Sequence, residues 1–163
     1  MRVTFDNMAD GVAMFDASLH LAAWNRNFQE LLDLRDERLA ERPGFDDYIR
    51  YLTERGEFGD SAPEDEIARL RSRLADHYSF ERKRPDGTVI EVHNNPMPDG
   101  GVVVIYSDIT ERKRSEAEIR ARRDAAEAAY RDLQAAQANL VQAEDGRGRS
   151  AHRWHCPRNQ ESA

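Results

Sequence analysis

The sequence predicts an α+β domain: a five-stranded antiparallel sheet with short helices on one face, followed by a long coiled-coil-type helix. Three observations carry this prediction. Strand-like patterns fall in two blocks, 11–24 and 78–107, with helix-like periodicity between them. The second block is broken by turn sequences short enough to make hairpins. From 109 to 145 neither Gly nor Pro interrupts the chain. Strands that flank a group of helices, with hairpin connections in the second block, build an antiparallel sheet with its helices segregated to one face.

The first block reads as two short strands joined by Asp16-Ala17-Ser18. Leu19, Leu21 and Ala23 alternate with His20, Ala22 and Trp24, the period of a half-buried strand. Asn25 then occupies an N-cap position before Phe28, Leu31 and Leu32, which share one helical face. Residues 35–47 are polar, are interrupted by Pro43-Gly44, and read as a loop. A short helix follows with Phe45, Tyr48, Ile49 and Leu52 on one side. After a breaker-rich loop over 56–63, a helix opening at Ser61 or Pro63 carries Ile67, Leu70 and Leu74 and ends near His77.

Strands are expected over 78–84, 88–94 and 101–107. Arg84-Pro85-Asp86-Gly87 and the longer segment 95–101 supply the turns, Pro presetting φ and Gly admitting φ > 0. The apolar, β-branched run Val102 to Tyr106 suits a central strand. Asp108 and Glu111 have capping-box spacing ahead of the final helix. Within that helix Ile119, Ala126, Leu133 and Leu140 recur every seven residues, and Ala129, Ala136 and Ala143 follow three positions later. This heptad seam calls for a second copy, giving a parallel homodimer through 111–145.

Charge and composition narrow the function. The 163 residues have a mean hydropathy of −0.84, too polar for one globule of that length, so an exposed helix or a disordered segment is required. Residues 1–108 carry 13 basic and 22 acidic side chains, which argues against nucleic acid as a partner. No apolar run is long enough to cross a membrane and the start lacks a signal-peptide pattern, so a cytoplasmic protein is expected. The single cysteine, Cys156, excludes an internal disulfide and a cysteine metal cluster. No phosphate-cradling Gly-rich loop and no nucleophile–base pair occurs, and the chain is not expected to be an enzyme.

Several short motifs occur in a telling order: Asp6-Asn7-Met8 before Gly11 to Asp16, Trp24-Asn25-Arg26, Arg84 to Thr88, and Asp108-Ile109-Thr110-Glu111-Arg112-Lys113. Together they resemble a PAS domain that ends in its Asp-Ile-Thr motif and continues into a signalling helix, as in bacterial two-component sensor histidine kinases. The resemblance implies a sensor domain over 1–110, a signalling and dimerisation helix over 111–145, and a role as the sensing module of a phosphorelay kinase whose catalytic domain this chain lacks. It also implies that Asp108, Thr110 and Glu111 transfer the signal. Two other readings are a stand-alone regulator that heterodimerises with an intact histidine kinase, and a sensor of a small molecule or haem.

A PAS-type interior could hold a small-molecule ligand, and Met14, Phe28, Leu31, Tyr48 and Phe58 are the candidates to line it; core packing accounts for them equally well. No cofactor is required. Flavin–cysteinyl chemistry is excluded because residues 1–108 contain no cysteine. Haem is not expected: His20 and His93 fall in the polar phase of strands, and His77 ends a helix where its cation meets the dipole.

Residues 146–163 break with everything upstream and are expected to be disordered. With suitable synonymous codons, Trp154 to Ser162 read one nucleotide later spell Gly-Ile-Ala-His-Glu-Ile-Lys-Asn-Pro, similar to the phosphorylated-histidine motif of such kinases. The expectation is a frameshift near Asp145 that truncates a longer kinase. On that reading His152, His155 and Cys156 are not a metal site.

Overall fold

The computed structural model describes residues 8–151. The chain divides into two compact units, with the break between Arg114 and Ser115. The first unit is built on strands β1 (Gly11–Phe15), β2 (Leu21–Trp24), β3 (Tyr78–Lys83), β4 (Val89–Pro96) and β5 (Val102–Asp108). Four short helices separate the two strand groups: α1 (Arg26–Leu31), α2 (Asp36–Ala40), α3 (Phe45–Glu54) and α4 (Pro63–Arg71). The final helix, α5, spans Thr110–Ala151.

The strands form one antiparallel sheet in the order β2-β1-β5-β4-β3. The β-branched run of β5 therefore lies at the centre, where both neighbours supply hydrogen bonds. Alternation assigns the faces. Ala13, Phe15, Val92, Val102, Val104 and Tyr106 are buried and share a core with Phe28, Leu39, Tyr48, Leu52 and Leu70 of the helices. Met14, Val103 and Ile105 take the opposite phase and are half-buried. The rings of Phe15, Phe28, Tyr48 and Tyr106 meet at centroid separations of 5.3–6.0 Å, within the range where aromatic pairs add to simple burial.

Asn25 caps α1 as its sequence position predicts, and it also ties β1 to that helix. Its Oδ1 accepts from the Phe28 N–H at 2.9 Å, capping the helix, and from the Val12 N–H at 2.8 Å. Its Nδ2 donates to the Asp10 carbonyl at 2.8 Å. The side chain is fully buried and meets the requirement that buried polar groups be paired. Gly11 permits the same junction: a Cβ there would lie 2.8 Å from the Phe28 Cα.

The structure corrects four details of the sequence reading. Residues 36–40 are helical (α2), whereas 35–47 reads as loop; one turn holding the single buried apolar residue Leu39 shows no period. Helix α4 ends at Arg71 instead of near His77, because the chain tightens into successive i→i+3 turns through Asp76. The carbonyls of Arg73, Leu74 and Asp76 are gathered by Nδ2 of Asn94. Helix α5 starts without the expected capping box, as described below. It also continues past 145 to Ala151, six residues into the segment expected to be disordered. Propagating an existing helix gains a backbone bond for each residue fixed, and this offsets the ~1 kcal/mol cost of each glycine at 146 and 148. The remainder of that tail, including His152, His155 and Cys156, lies outside the described residues.

Taken by itself, the second unit is helical from Ser115 to Ala151. The full α5 of 42 residues is about 63 Å long at 1.5 Å per residue. Among the described residues, no helix is long and apolar enough to cross a membrane.

Candidate functional site

Two places in the first unit concentrate polar groups that the core does not need for packing: the interior between the sheet and α3–α4, and the start of α5.

The interior is nearly full. Its remaining cavity is about 20 Å³, room for about one water. Aromatic and aliphatic side chains make most of the wall, among them Phe45, Leu52, Phe58 and Phe80, with Tyr78, Arg82, Asn94 and Tyr106 as the polar members. Tyr48 donates its hydroxyl to the Tyr106 oxygen at 3.1 Å. Burial pushes the Tyr106 hydroxyl up to about 12 and raises that of Tyr48 well above its ordinary value, so both stay protonated as neutral donors.

Beside this cavity lies a buried ion cluster. Glu57, on the turn after α3, is 1% exposed. Arg84 grips its carboxylate with Nε at 3.0–3.2 Å and Nη2 at 2.9 Å. Arg82 donates Nη1 to the Glu57 carboxylate and, at 3.0 Å, to its backbone carbonyl. Arg84 also reaches the Leu31 carbonyl, tying α1 into the cluster. Burial works to raise the Glu57 carboxyl, but the hydrogen bonds from Arg84 and Arg82 outweigh it and hold the group below its ordinary range. The Nη2 of Arg82 has no hydrogen-bond partner; among the described residues no other buried side-chain nitrogen or oxygen is left so. An unmade hydrogen bond of this kind costs about 1–3 kcal/mol, and more for a charged donor.

At the start of α5, Asp108 accepts at Oδ1 from the Thr110 N–H at 2.9 Å and from the Thr110 hydroxyl at 2.6 Å. The same hydroxyl oxygen accepts from the Val89 N–H at 3.0 Å, and the Val89 carbonyl accepts from the Ile109 N–H at 2.9 Å. Val89, the first residue of β4, thus spends both backbone groups on the two residues that lead into the helix. This pairing replaces the expected capping box. Thr110 is already the first helical residue, so Asp108 sits one position too early to bond the N–H of Glu111, which is exposed. The first turn is also ion-paired to the sheet: Lys113 lies 2.7 Å from Glu81 of β3, and Arg112 lies 3.5 Å from Glu91 of β4. Exposed pairs of this kind contribute little stability, about 0–1 kcal/mol each.

This arrangement of sheet, interior and exit helix has relatives. A family model described as PAS fold matches residues 5–117. The chain belongs to the PAS fold family. It is similar to the sensor protein DivL of Caulobacter vibrioides, with 31% identity over 126 residues covering 72% of this chain; that match covers 16% of the relative's length. Among solved structures it is similar to a domain of a sensory box sensor histidine kinase/response regulator from Geobacter sulfurreducens, at 18% identity and a TM-score of 0.44, covering 66% of this chain and 90% of that one. A second is the PAS domain of an HTR-like protein from Haloarcula marismortui, at 22% identity and a TM-score of 0.44, covering 66% and 93%.

Within this PAS domain the residues expected to line a pocket separate. Phe58 is in the cavity wall. Phe28 and Tyr48 are core, in contact with each other and outside the wall. Leu31 is half-buried at the core margin, beside the surface groove that runs from Arg84 to Asp108. Met14 lies on the outer face of the sheet, because Ala13 and Phe15 take the inner phase. None of His20, His77 and His93 is in the cavity wall: the first two are exposed, and His93 stands on β4 with its Nε2 3.3 Å from Glu91.

Glu57 and Arg82 were not singled out from the sequence, and Arg84 entered only as the first residue of a turn. The signal was present for Arg82, since Tyr78, Phe80 and Arg82 occupy the inward phase of β3.

The junction makes a direct prediction. Thr110→Val keeps the shape of the side chain but removes the acceptor of the Val89 N–H and the donor to Asp108. It should cost about 1–2 kcal/mol in denaturant unfolding, and Thr110→Ser should recover most of that loss.

Proposed function

We propose that this PAS domain is the sensory module of a two-component histidine kinase, and that the helix over 111–145 is its dimerisation and output element. The observation that carries the reading is the seam itself. Ile119, Leu133 and Leu140 are 65%, 57% and 65% exposed, and they recur at heptad spacing with Ala126, Ala129 and Ala136 between them. Large apolar side chains left in water at a coiled-coil period fit a second copy of the same helix. Tyr130, also exposed, flanks the seam and would pack at its edge.

The Asp108–Thr110–Val89 pairing supports the output role. A change in the sheet that moves the start of β4 acts on the start of α5 through two hydrogen bonds of the Val89 backbone, one to the Thr110 hydroxyl and one from the Ile109 N–H. The relative named a sensor protein supports the sensory class. Phosphotransfer itself, and the response regulator that receives it, belong to the proposed larger kinase. Cytoplasmic placement is part of the same proposal.

Light scattering on the full chain tests the reading, with an expected mass of two copies. Leu133→Glu combined with Leu140→Glu should return the mass of one. In a Cys156→Ser background, Leu140→Cys should form a disulfide between copies, because a parallel pair brings like positions together at the ends. A monomeric wild type, or no cross-link, contradicts the proposed dimer.

A further inference from the structure

The seam of α5 is not uniform along its length. One row is Ile119, Ala126, Leu133 and Leu140, and three positions later runs the other, Arg122, Ala129, Ala136 and Ala143. Arg122 is the one charged side chain in either row. It is exposed on an uninterrupted helix, so it shares the face of the residues seven positions apart in its row. In a parallel, in-register pair each seam residue meets its own counterpart, and Arg122 of one copy faces Arg122 of the other. A guanidinium is always charged and has only donors, so neither can accept from its counterpart. Closing the seam over them would take two like charges out of water with no carboxylate between them. Glu118 lies four positions back on the same helix, but an exposed pair at that spacing compensates little.

The flanking positions supply a second, independent indication. Across a parallel pair, the residue just before the first row faces the residue five positions later on the other copy. This sets Glu111 against Glu116, which are like charges, and Glu118 against Arg123. The second pair is of opposite sign, but Arg123 already lies 3.3 Å from Glu127 on its own helix, and both are exposed. From 126 to 143 the pattern changes. Both rows are then Ala or Leu, and no facing flank sets like charges together: Asp132 meets Gln137, and Asn139 meets Glu144.

We propose that the second copy is held along 126–143 and that Arg122 keeps the preceding stretch, 115–125, from pairing. Ile119 is the one apolar layer in that stretch, between Ser115 and Arg122, and a single layer does not hold about three turns of helix together. The inference rests on the parallel dimer proposed above; it adds where along the helix that dimer is made and which residue limits it. Residues 115–125 can then close or part while the contact beyond them persists, so the output helix can be altered without dissolving the dimer.

The test uses the full chain in a Cys156→Ser background, with sedimentation over a range of concentrations and with single cysteines placed in the seam. Leu140→Cys should cross-link between copies, and Ile119→Cys at least about tenfold more slowly. Arg122→Leu should tighten the dimer roughly tenfold or more and bring the cross-linking of Ile119→Cys up to the rate of Leu140→Cys. Arg120→Leu removes the same charge and adds the same side chain two positions earlier, outside both rows, and should leave the dissociation constant within about twofold. Equal cross-linking at 119 and 140 in the chain that retains Arg122 overturns the proposal, as does an Arg122→Leu dimer no tighter than that of Arg120→Leu. A chain that is monomeric and does not cross-link at 140 removes the proposed dimer but still tests Arg122: an Arg122→Leu variant that then dimerises supports its role, and one that stays monomeric overturns it.

Discussion

Glu57→Gln is expected to destabilise the PAS domain by about 3–5 kcal/mol at neutral pH, the cost of removing one partner from a buried ion pair. The substitution preserves volume, so the loss is electrostatic: Arg82 and Arg84 stay in the interior with no carboxylate between them. The pH dependence identifies the cause. The Glu57 carboxyl titrates below its unfolded-state value of about 4.3, so the charged cluster contributes its stability above that pH and loses it as pH falls through the depressed folded value. The gap between wild type and Glu57→Gln should therefore be full near pH 7 and narrow below about pH 4. Guanidinium unfolding at both pH values measures it. A gap independent of pH would mean that packing, not charge, is the source.

Phe28→Ala is expected to cost about 3–5 kcal/mol, the range for deleting a large ring from a filled core. Phe28 is fully buried, with its ring 5.3 Å from that of Tyr106 and 6.0 Å from that of Tyr48. The cavity left behind would open beneath the Tyr48–Tyr106 hydroxyl pair. Leu31→Ala, three residues along the same helix but half-buried, should cost only about 1–2 kcal/mol, below the range for buried leucines. This contrast separates packing residues from residues at the edge of a site. A loss under about 1 kcal/mol for Phe28→Ala would mean that the interior already yields to fill such a space.

The elements legible in the sequence were those whose signal is local. The hairpins at Arg84–Thr88 and 95–101, the Asn25 cap and the heptads of α5 each depend on residues within one turn or one period. The β5 run announced its central place through composition alone. Helix α2 escaped because a single turn around Leu39 has no repeat to detect. Glu57 escaped for a different reason. A lone glutamate beside Gly56 reads as solvent-exposed, and only partners 25 and 27 residues away make its burial tolerable. Arg82 shows the limit of alternation, which gives the face correctly but treats a charge on the inner face as an error in phase. Here the charge is the feature, and the alternation around it was sound.

The double commitment of Val89 at the strand–helix junction also supplies a clock. Its amide proton is held by the Thr110 hydroxyl, outside the regular ladder of the sheet. Solvent exchange of that proton requires the junction to part, whereas the neighbouring β4 amides exchange only when the sheet itself opens. The ratio of the two exchange rates therefore counts how often the exit helix lets go of an intact domain. A ligand or substitution that alters this ratio without altering global stability would be acting on transmission alone.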